Sequence, residues 1–258
     1  MARKHIKLGN VDFREGGGGL LLGKMPKKIR GLVIDVEGTL CGLESPLMRA
    51  KLNSQNRWLM ERFGVSEEEL NRRIRRTERK LKKESKRRIP FSQVVYTMDP
   101  NITGEEWNKA RALAVPRHDF SCRLDRNPEL EEVITDLTAD RSRGVRIVFQ
   151  TNGAIEAAET ILKMLFGARI LNHGMFATVG HRDKLSKPDP AFFTRLVVPE
   201  LGRRGVALKN TVSIGDRTED DGIAAIEAGI PAAIIVKDPS ELLEALKHIR
   251  ALKAEEST

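Results

Sequence analysis

Cysteine, aromatic side chains and long apolar runs are all scarce in this chain. Only two cysteines, Cys41 and Cys122, occur in 258 residues. That is too few for a disulfide framework, so a reducing, cytoplasmic setting is expected. No apolar run approaches the roughly 18–20 residues that a membrane-spanning helix needs, and no membrane partner is expected. The basic start, MARKHIKLGN, has no apolar stretch behind it except Leu20–Leu22, which is too short for a secretory signal. One Tyr, two Trp and nine Phe leave little to stack on nucleic-acid bases. The five His include no close metal-binding pair, and His173 and His181 read as loop residues. Gly16–Gly19 is followed by no Gly-Lys-Ser/Thr and is not a phosphate loop of that type.

Charge is plentiful but local. The net charge is +9, and residues 72–88 alone hold eleven Lys/Arg against Glu78 and Glu84. The rest of the chain is therefore neutral overall. Such a run makes an anion-binding surface conceivable for nucleic acid, polyphosphate or an acidic partner. Ile74 and Leu81, seven apart, fit a helix with one buried stripe, and the outward, solvated face is the reading adopted.

The remaining pattern is that of an α/β protein. Four short apolar runs read as buried parallel strands: 31–36, 145–150, 211–215 and 232–236. Helical segments fall at 154–166, 189–204 with a possible break at Pro199, 219–228 and 239–253. Asp189-Pro190 supplies a cap and a first-turn proline. This alternation predicts a doubly wound, Rossmann-like parallel sheet with helices on both faces. About 100 residues separate the first strand from the second, far beyond an ordinary strand-to-helix loop. They read as helices at 47–63, 66–88, 104–114 and 128–143, the last returning to the sheet. The expected organisation is a flexible leader at 1–29, a core of 30–41 with 119–258, and an inserted helical unit at 42–118.

Ligands of open parallel sheets bind at the carboxyl ends of the strands. There the chain places Asp35 and Glu37, then Thr151, Asn152 and Gly153, then Lys187, then Asp216, Asp220 and Asp221. Each alone is an ordinary cap, turn or surface residue. Together they supply a nucleophile, an acid, hydroxyl and amide donors, a cation and oxygen ligands for a metal, which are the parts phosphoryl transfer needs.

In this order, Asp-Val-Glu-Gly-Thr-Leu (35–40), Thr-Asn (151–152), Lys-Pro-Asp-Pro (187–190) and Gly-Asp-Arg-Thr-Glu-Asp-Asp (215–221) resemble the four motifs of the haloacid dehalogenase-like hydrolase superfamily. The likeness covers about 30–40 and 125–240, and the helical insertion sits where capped members carry one. It implies a Mg²⁺-dependent phosphomonoester hydrolase working through an aspartyl-phosphate on a small phosphorylated metabolite, of the nucleotide or sugar phosphate class. By the same resemblance Asp35 would be the nucleophile, its second oxygen on Mg²⁺. Glu37 stands where most phosphatase members have an Asp general acid, with its backbone carbonyl facing the metal. Thr151 and the Asn152 amide would hold the phosphoryl oxygens. Lys187 would neutralise charge between Asp35 and the phosphoryl group. Asp216 would ligate the metal and Asp221, preferred over Asp220, would support it. Oxygen-only ligands favour Mg²⁺ over zinc. Cys41, just past the nucleophile loop, reads as a small filler residue. Two alternatives accompany this reading: a 2-haloacid dehalogenase, and a degenerate hydrolase fold that binds nucleic acid or an acidic partner through 72–88.

Overall fold

The structure is a computed structural model and describes residues 19–42, 46–85, 87–112, 124, 126–139, 144–167, 176–181 and 184–255. Six strands form one sheet: β1 (Leu20–Gly23), β2 (Gly31–Asp35), β3 (Arg146–Gln150), β4 (Phe176–Val179), β5 (Thr211–Gly215) and β6 (Ala232–Ile235), in the order β1-β6-β5-β2-β3-β4. All neighbours are parallel except β1 and β6. The four expected strands are present within a residue of their expected ends.

Alternation along each strand divides the core. Leu32, Ile34, Ile147, Phe149, Val212 and Ile214 pack with α5 (Pro128–Thr138), α6 (Ile155–Phe166) and α10 (Pro239–Glu255). Val33 and Val148 face the other way, onto Phe192, Phe193, Val197, Leu201 and Ala225. That second layer is α7 (Pro190–Phe192), a π-helical turn at Phe193–Val197, α8 (Val198–Arg203) and the short α9 (Ala224–Glu227). Burial on both faces explains why the central strands read as continuous apolar runs. Pro199 does not break the helix at 190–203. It falls in the first turn of α8, directly after the π-helical turn, where its missing N–H is tolerated.

The helices before β3 also include α1 (Pro46–Phe63), α2 (Glu67–Glu84), α3 (Phe91–Met98) and α4 (Gly104–Ala112). Leu59, Leu70, Val95, Ile102 and Trp107 form a separate apolar cluster within them. Side chains cap the first turns of α2, α4, α5 and α7. Ser66 Oγ accepts from Glu69 N–H, Asn127 Oδ1 from Leu130 N–H, and Asp189 Oδ1 from Ala191 N–H. Thr103 and Glu106 make a reciprocal capping box at the start of α4.

Three expectations need correction. The leader at 1–29 holds an edge strand, β1, with Leu21 and Leu22 buried and the backbone paired to β6. A three-leucine run beside glycines is too short to show a period. The helix expected over 66–88 stops at Glu84, where Ser85 turns to extended backbone and its N–H closes the last turn on the Leu81 carbonyl. A further helix, α3, follows Pro90. Its Val-Val-Tyr-Thr composition favours a strand, and burial of Val94 and Val95 overrides that preference. The ends expected at 113–114 and 140–143, the second proposed boundary of the inserted unit at 118–119, Gly16–Gly18, Cys122 and His173 lie outside the described residues. No described helix is long and apolar enough to cross a membrane.

Candidate active site

β2 lies between β3 and β5, so the chain leaves the sheet centre in opposite directions and opens a crevice at the strand ends. Asp35 closes β2, Gln150 closes β3 and Gly215 closes β5. The loops beyond them bring together residues that are up to about 190 positions apart in sequence.

The Asp35 carboxylate is 4% exposed. Its Oδ1 accepts from Lys187 Nζ at 2.6 Å and its Oδ2 from Thr39 Oγ1 at 3.2 Å. Lys187 Nζ also donates to Asp221 Oδ1 at 2.6 Å. Asp221 further accepts from Gln150 Nε2 and from the Arg217 N–H, so both its oxygens are engaged. Oxygens of Asp35, Asp216 and Asp221 lie within 4.8 Å of one another. Two glycines make this packing possible. A Cβ on Gly38, whose φ is +97°, would stand 2.4 Å from Asp216 Oδ2, and one on Gly215 would stand 2.2 Å from Asp221 Cγ.

Electrostatics follow from that crowding. Burial, together with the charges of Asp221 and Asp216, pushes Asp35 well above the usual carboxylate range although Lys187 pulls it down. Burial and Asp221 likewise raise Asp216. Lys187 moves up: burial opposes its charge, and the two carboxylates outweigh burial. One buried ammonium for three clustered carboxylates leaves negative charge that a hard divalent cation would relieve. The all-oxygen donor set suits Mg²⁺.

Glu37 occupies a different environment. Its carboxylate pairs with Lys51 of α1, and its Oε2 accepts from Thr151 Oγ1 at 2.6 Å. Burial alone would raise its pKa. The Lys51 charge, the hydrogen bonds from Lys51 and Thr151, and the field of Arg111 outweigh burial and hold it down at about 2. The resting Glu37 is therefore ionised and carries no proton for a leaving group. Its side chain also lies outside the clustered carboxylates. Thr151 Oγ1 receives the Gly153 N–H at 2.6 Å. Asn152 exchanges two side-chain bonds with the Lys187 backbone, at 2.7 and 3.0 Å, and so sets the position of that lysine.

Asp220 and Asp221 part company here. Asp220 takes both Nε and Nη2 of Arg88, while Asp221 turns into the cluster. His181 is buried in the loop after β4, stacked on Tyr96 with 5.6 Å between centroids. Cys41 is 3% exposed, and burial first, then Glu37, pushes its thiol up to about 12, in keeping with a filler role.

A cavity of about 370 Å³ covers Asp35, Lys187 and Asp216, and its roof is made by Lys51, Gln55, Arg88, Ser92 and Arg111. Larger clefts of 960 and 580 Å³ lie to the side and contain none of the clustered carboxylates. Apart from Arg88, the last residue of the basic run at 72–88, sequence reading singled out none of these roof residues. They come from α1, α3, α4 and the α2–α3 connection and share no spacing. The basic face of α2 points outward: Arg72, Arg75 and Arg79 are exposed, and Arg88, beyond the helix, reaches the site.

No protein-family model and no curated protein matches the chain. Solved structures do. A haloacid dehalogenase (HAD) phosphatase from Thermococcus onnurineus is 19% identical, covers 86% of this chain and 98% of its own, and superposes with a TM-score of 0.51. A beta-phosphoglucomutase from Clostridium difficile is 16% identical over 88% of this chain and 98% of its own, at a TM-score of 0.49. A 2-haloacid dehalogenase from Pseudomonas syringae is 21% identical over 78% and 84%, at 0.43. With the strand order, the crevice and the four strand-end loops already described, the first of these likenesses shows that the chain has the fold of the haloacid dehalogenase-like hydrolases.

Proposed function

We propose that the protein is a Mg²⁺-dependent phosphomonoester hydrolase that acts through an aspartyl-phosphate on a small phosphorylated metabolite. The observation that carries this reading is the buried cluster of Asp35, Asp216 and Asp221 bridged by Lys187. A dehalogenase needs no metal and has no use for Asp216 in such a cluster. The helical unit at 46–112 acts in this reading as a cap, closing over the strand ends and excluding water. The small phosphorylated substrate would bind in the cavity below it, in a cytoplasmic setting.

Asp35, Asp216 and Asp221 would hold the metal, which supplies Lewis-acid stabilisation of charge on the phosphoryl oxygens. An Asp35 oxygen attacks phosphorus. The bond to the leaving oxygen breaks, and the phosphoryl group rests on Asp35 until water attacks phosphorus, the bond from phosphorus to the Asp35 oxygen breaks, and inorganic phosphate leaves with the carboxylate regenerated. Lys187 neutralises the approach of one anion to another and holds Asp35 in register, as Thr39 does from the other oxygen. The Asn152 amide would face the phosphoryl group, whereas Thr151 commits its hydroxyl hydrogen to Glu37 and fixes that side chain. Glu37 starts as a carboxylate tied to Lys51, so leaving groups that depart with little proton assistance are the favoured ones.

Hydrolysis of para-nitrophenyl phosphate with Mg²⁺, and again with EDTA, tests the reading. Turnover should require the metal and fall by at least about 10³-fold in Asp35→Asn with the fold intact. Metal-independent turnover, or full activity in Asp35→Asn, would refute it. Binding of nucleic acid that weakens steeply with salt and is indifferent to Asp35→Asn would favour the binding-module alternative.

A further inference from the structure

The roof of the cavity holds a cation that the hydrolytic chemistry does not use. Among the described cavity residues, Lys51, Arg88, Lys187 and Arg217 each face a carboxylate: Glu37, Asp220, Asp35 with Asp221, and Asp216 respectively. Arg111 differs. It sits in the last turn of α4, is only 9% exposed, and its Nε and Nη1 have no hydrogen-bond partner. Glu37, whose field reaches Arg111, already receives Lys51 and Thr151. The guanidinium is held by packing instead. It lies over the indole of Trp107, one turn earlier on α4, at 5.6 Å from the ring centroid, and Trp107 is in turn fixed between Trp58 and Phe91. Two further polar side chains, Gln55 of α1 and Ser92 of α3, are 4% and 5% exposed and line the same cavity.

An unpaired, buried N–H is costly, and a buried guanidinium more so. Arg111 lines the cavity, and a guanidinium, as a planar fork of donors, matches the two oxygens of a carboxylate or phosphate. The cavity, at about 370 Å³, suits a small molecule that spans from Asp35 to the roof. We propose that Arg111, flanked by Gln55 and Ser92, forms an anion subsite for a second negatively charged group, a carboxylate or a phosphate, on the leaving portion of the substrate. This inference rests on the phosphatase reading and deepens it. The substrate class becomes small phosphomonoesters whose leaving alcohol carries its own anionic group. Arg111 is a specificity residue and does not touch the reacting atoms.

Three probes with one carbon frame test the subsite: glycerol 3-phosphate, 3-phosphoglycerate and glycerol 1,3-bisphosphate. The first lacks a second anion, the second has a carboxylate and the third a phosphate. The wild type should prefer one of the doubly anionic probes over glycerol 3-phosphate by about tenfold to hundredfold in kcat/KM, and which one identifies the anion. Arg111→Met should remove that preference, with KM for the preferred probe rising far more than KM for glycerol 3-phosphate. Arg111→Lys should restore part of it. A wild type without preference, or an Arg111→Met that affects all three probes equally, would overturn the subsite. Calorimetric binding of the same probes to Asp35→Asn, with and without Arg111→Met, reads the subsite independently of turnover. A binding preference lost with Arg111 supports it even where no probe is hydrolysed, and equal binding of all three rejects it even where para-nitrophenyl phosphate is turned over.

Discussion

Two partners decide what Glu37 does at rest. A side chain at this position reaches both Lys51 and Thr151, and the ion pair outweighs the burial that would otherwise protonate it. The sign of the linkage follows. The folded pKa, about 2, lies below the ordinary value of 4.5, so the pair stabilises the fold fully above about pH 4.5, and that contribution disappears as pH falls toward 2. The shift corresponds to a contribution on the order of 3 kcal/mol. Chemical denaturation of the wild type and Glu37→Gln at pH 6, 4 and 3 should therefore show a gap that narrows as the pH drops. A gap that stays constant would mean that the carboxylate is not held ionised by Lys51. The same geometry shows why Glu37 could be found from sequence and its behaviour could not. Its place after the nucleophile strand is visible in the order of residues, whereas Lys51 looks like any helix lysine until α1 packs.

At the scale of elements, β1 supports the site from the sheet edge. Leu22 is 2% exposed, and a Cβ on Gly222 would meet its Cδ1 at 2.5 Å. Gly222 directly follows Asp221, so the strand backs the turn that carries a clustered carboxylate. Leu22→Ala should cost about 2–5 kcal/mol by urea denaturation. A loss under about 1 kcal/mol would show that β1 frays independently of the core. The basic α2 tells the opposite story. Its hydrophobic stripe, Leu70 and Leu81, is buried while its arginines face solvent, Arg72 and Arg73 paired with Glu68 and Glu69 one turn away. The charge run is a solvated face along α2, whereas Arg87 and Arg88 at its end turn to the sheet domain, and the other cations of the site are scattered over other elements.

At the scale of the molecule, the helices over 46–112 meet the sheet domain through Leu47 and Met48, which join its core, and through a set of polar contacts. Arg88 grips Asp220, Arg87 donates to the Pro188 carbonyl, Tyr96 meets His181 at 3.2 Å and Asn108 donates to the His181 carbonyl. The candidate site lies between the two bodies, so its charge balance bears on the whole fold. The Mg²⁺ reading predicts that the cation raises Tm, by an amount equivalent to about 2.7 kcal/mol at one hundred times Kd. The shift should vanish in Asp216→Asn, which removes a ligand while leaving the apolar layers untouched. A Tm insensitive to Mg²⁺ in the wild type would remove the metal from the proposed mechanism.

The order of elements, the two-faced sheet and most of the carboxylates at the strand ends were written in local pattern: apolar runs of five residues, caps such as Ser66 and Asp189, and acids placed directly after a strand. These features depend on neighbours in the chain, and so the sequence alone determined them. The tertiary structure decided the rest. It selected Asp221 over Asp220 for the cluster, because Gly215 has no Cβ to exclude it and Arg88 claims the other. It turned Glu37 into a fixed carboxylate and brought Lys51, Gln55, Ser92 and Arg111 over Asp35. Partners separated by 14 to 152 positions meet only when helices pack, and the energy of a buried charge depends on which partner arrives.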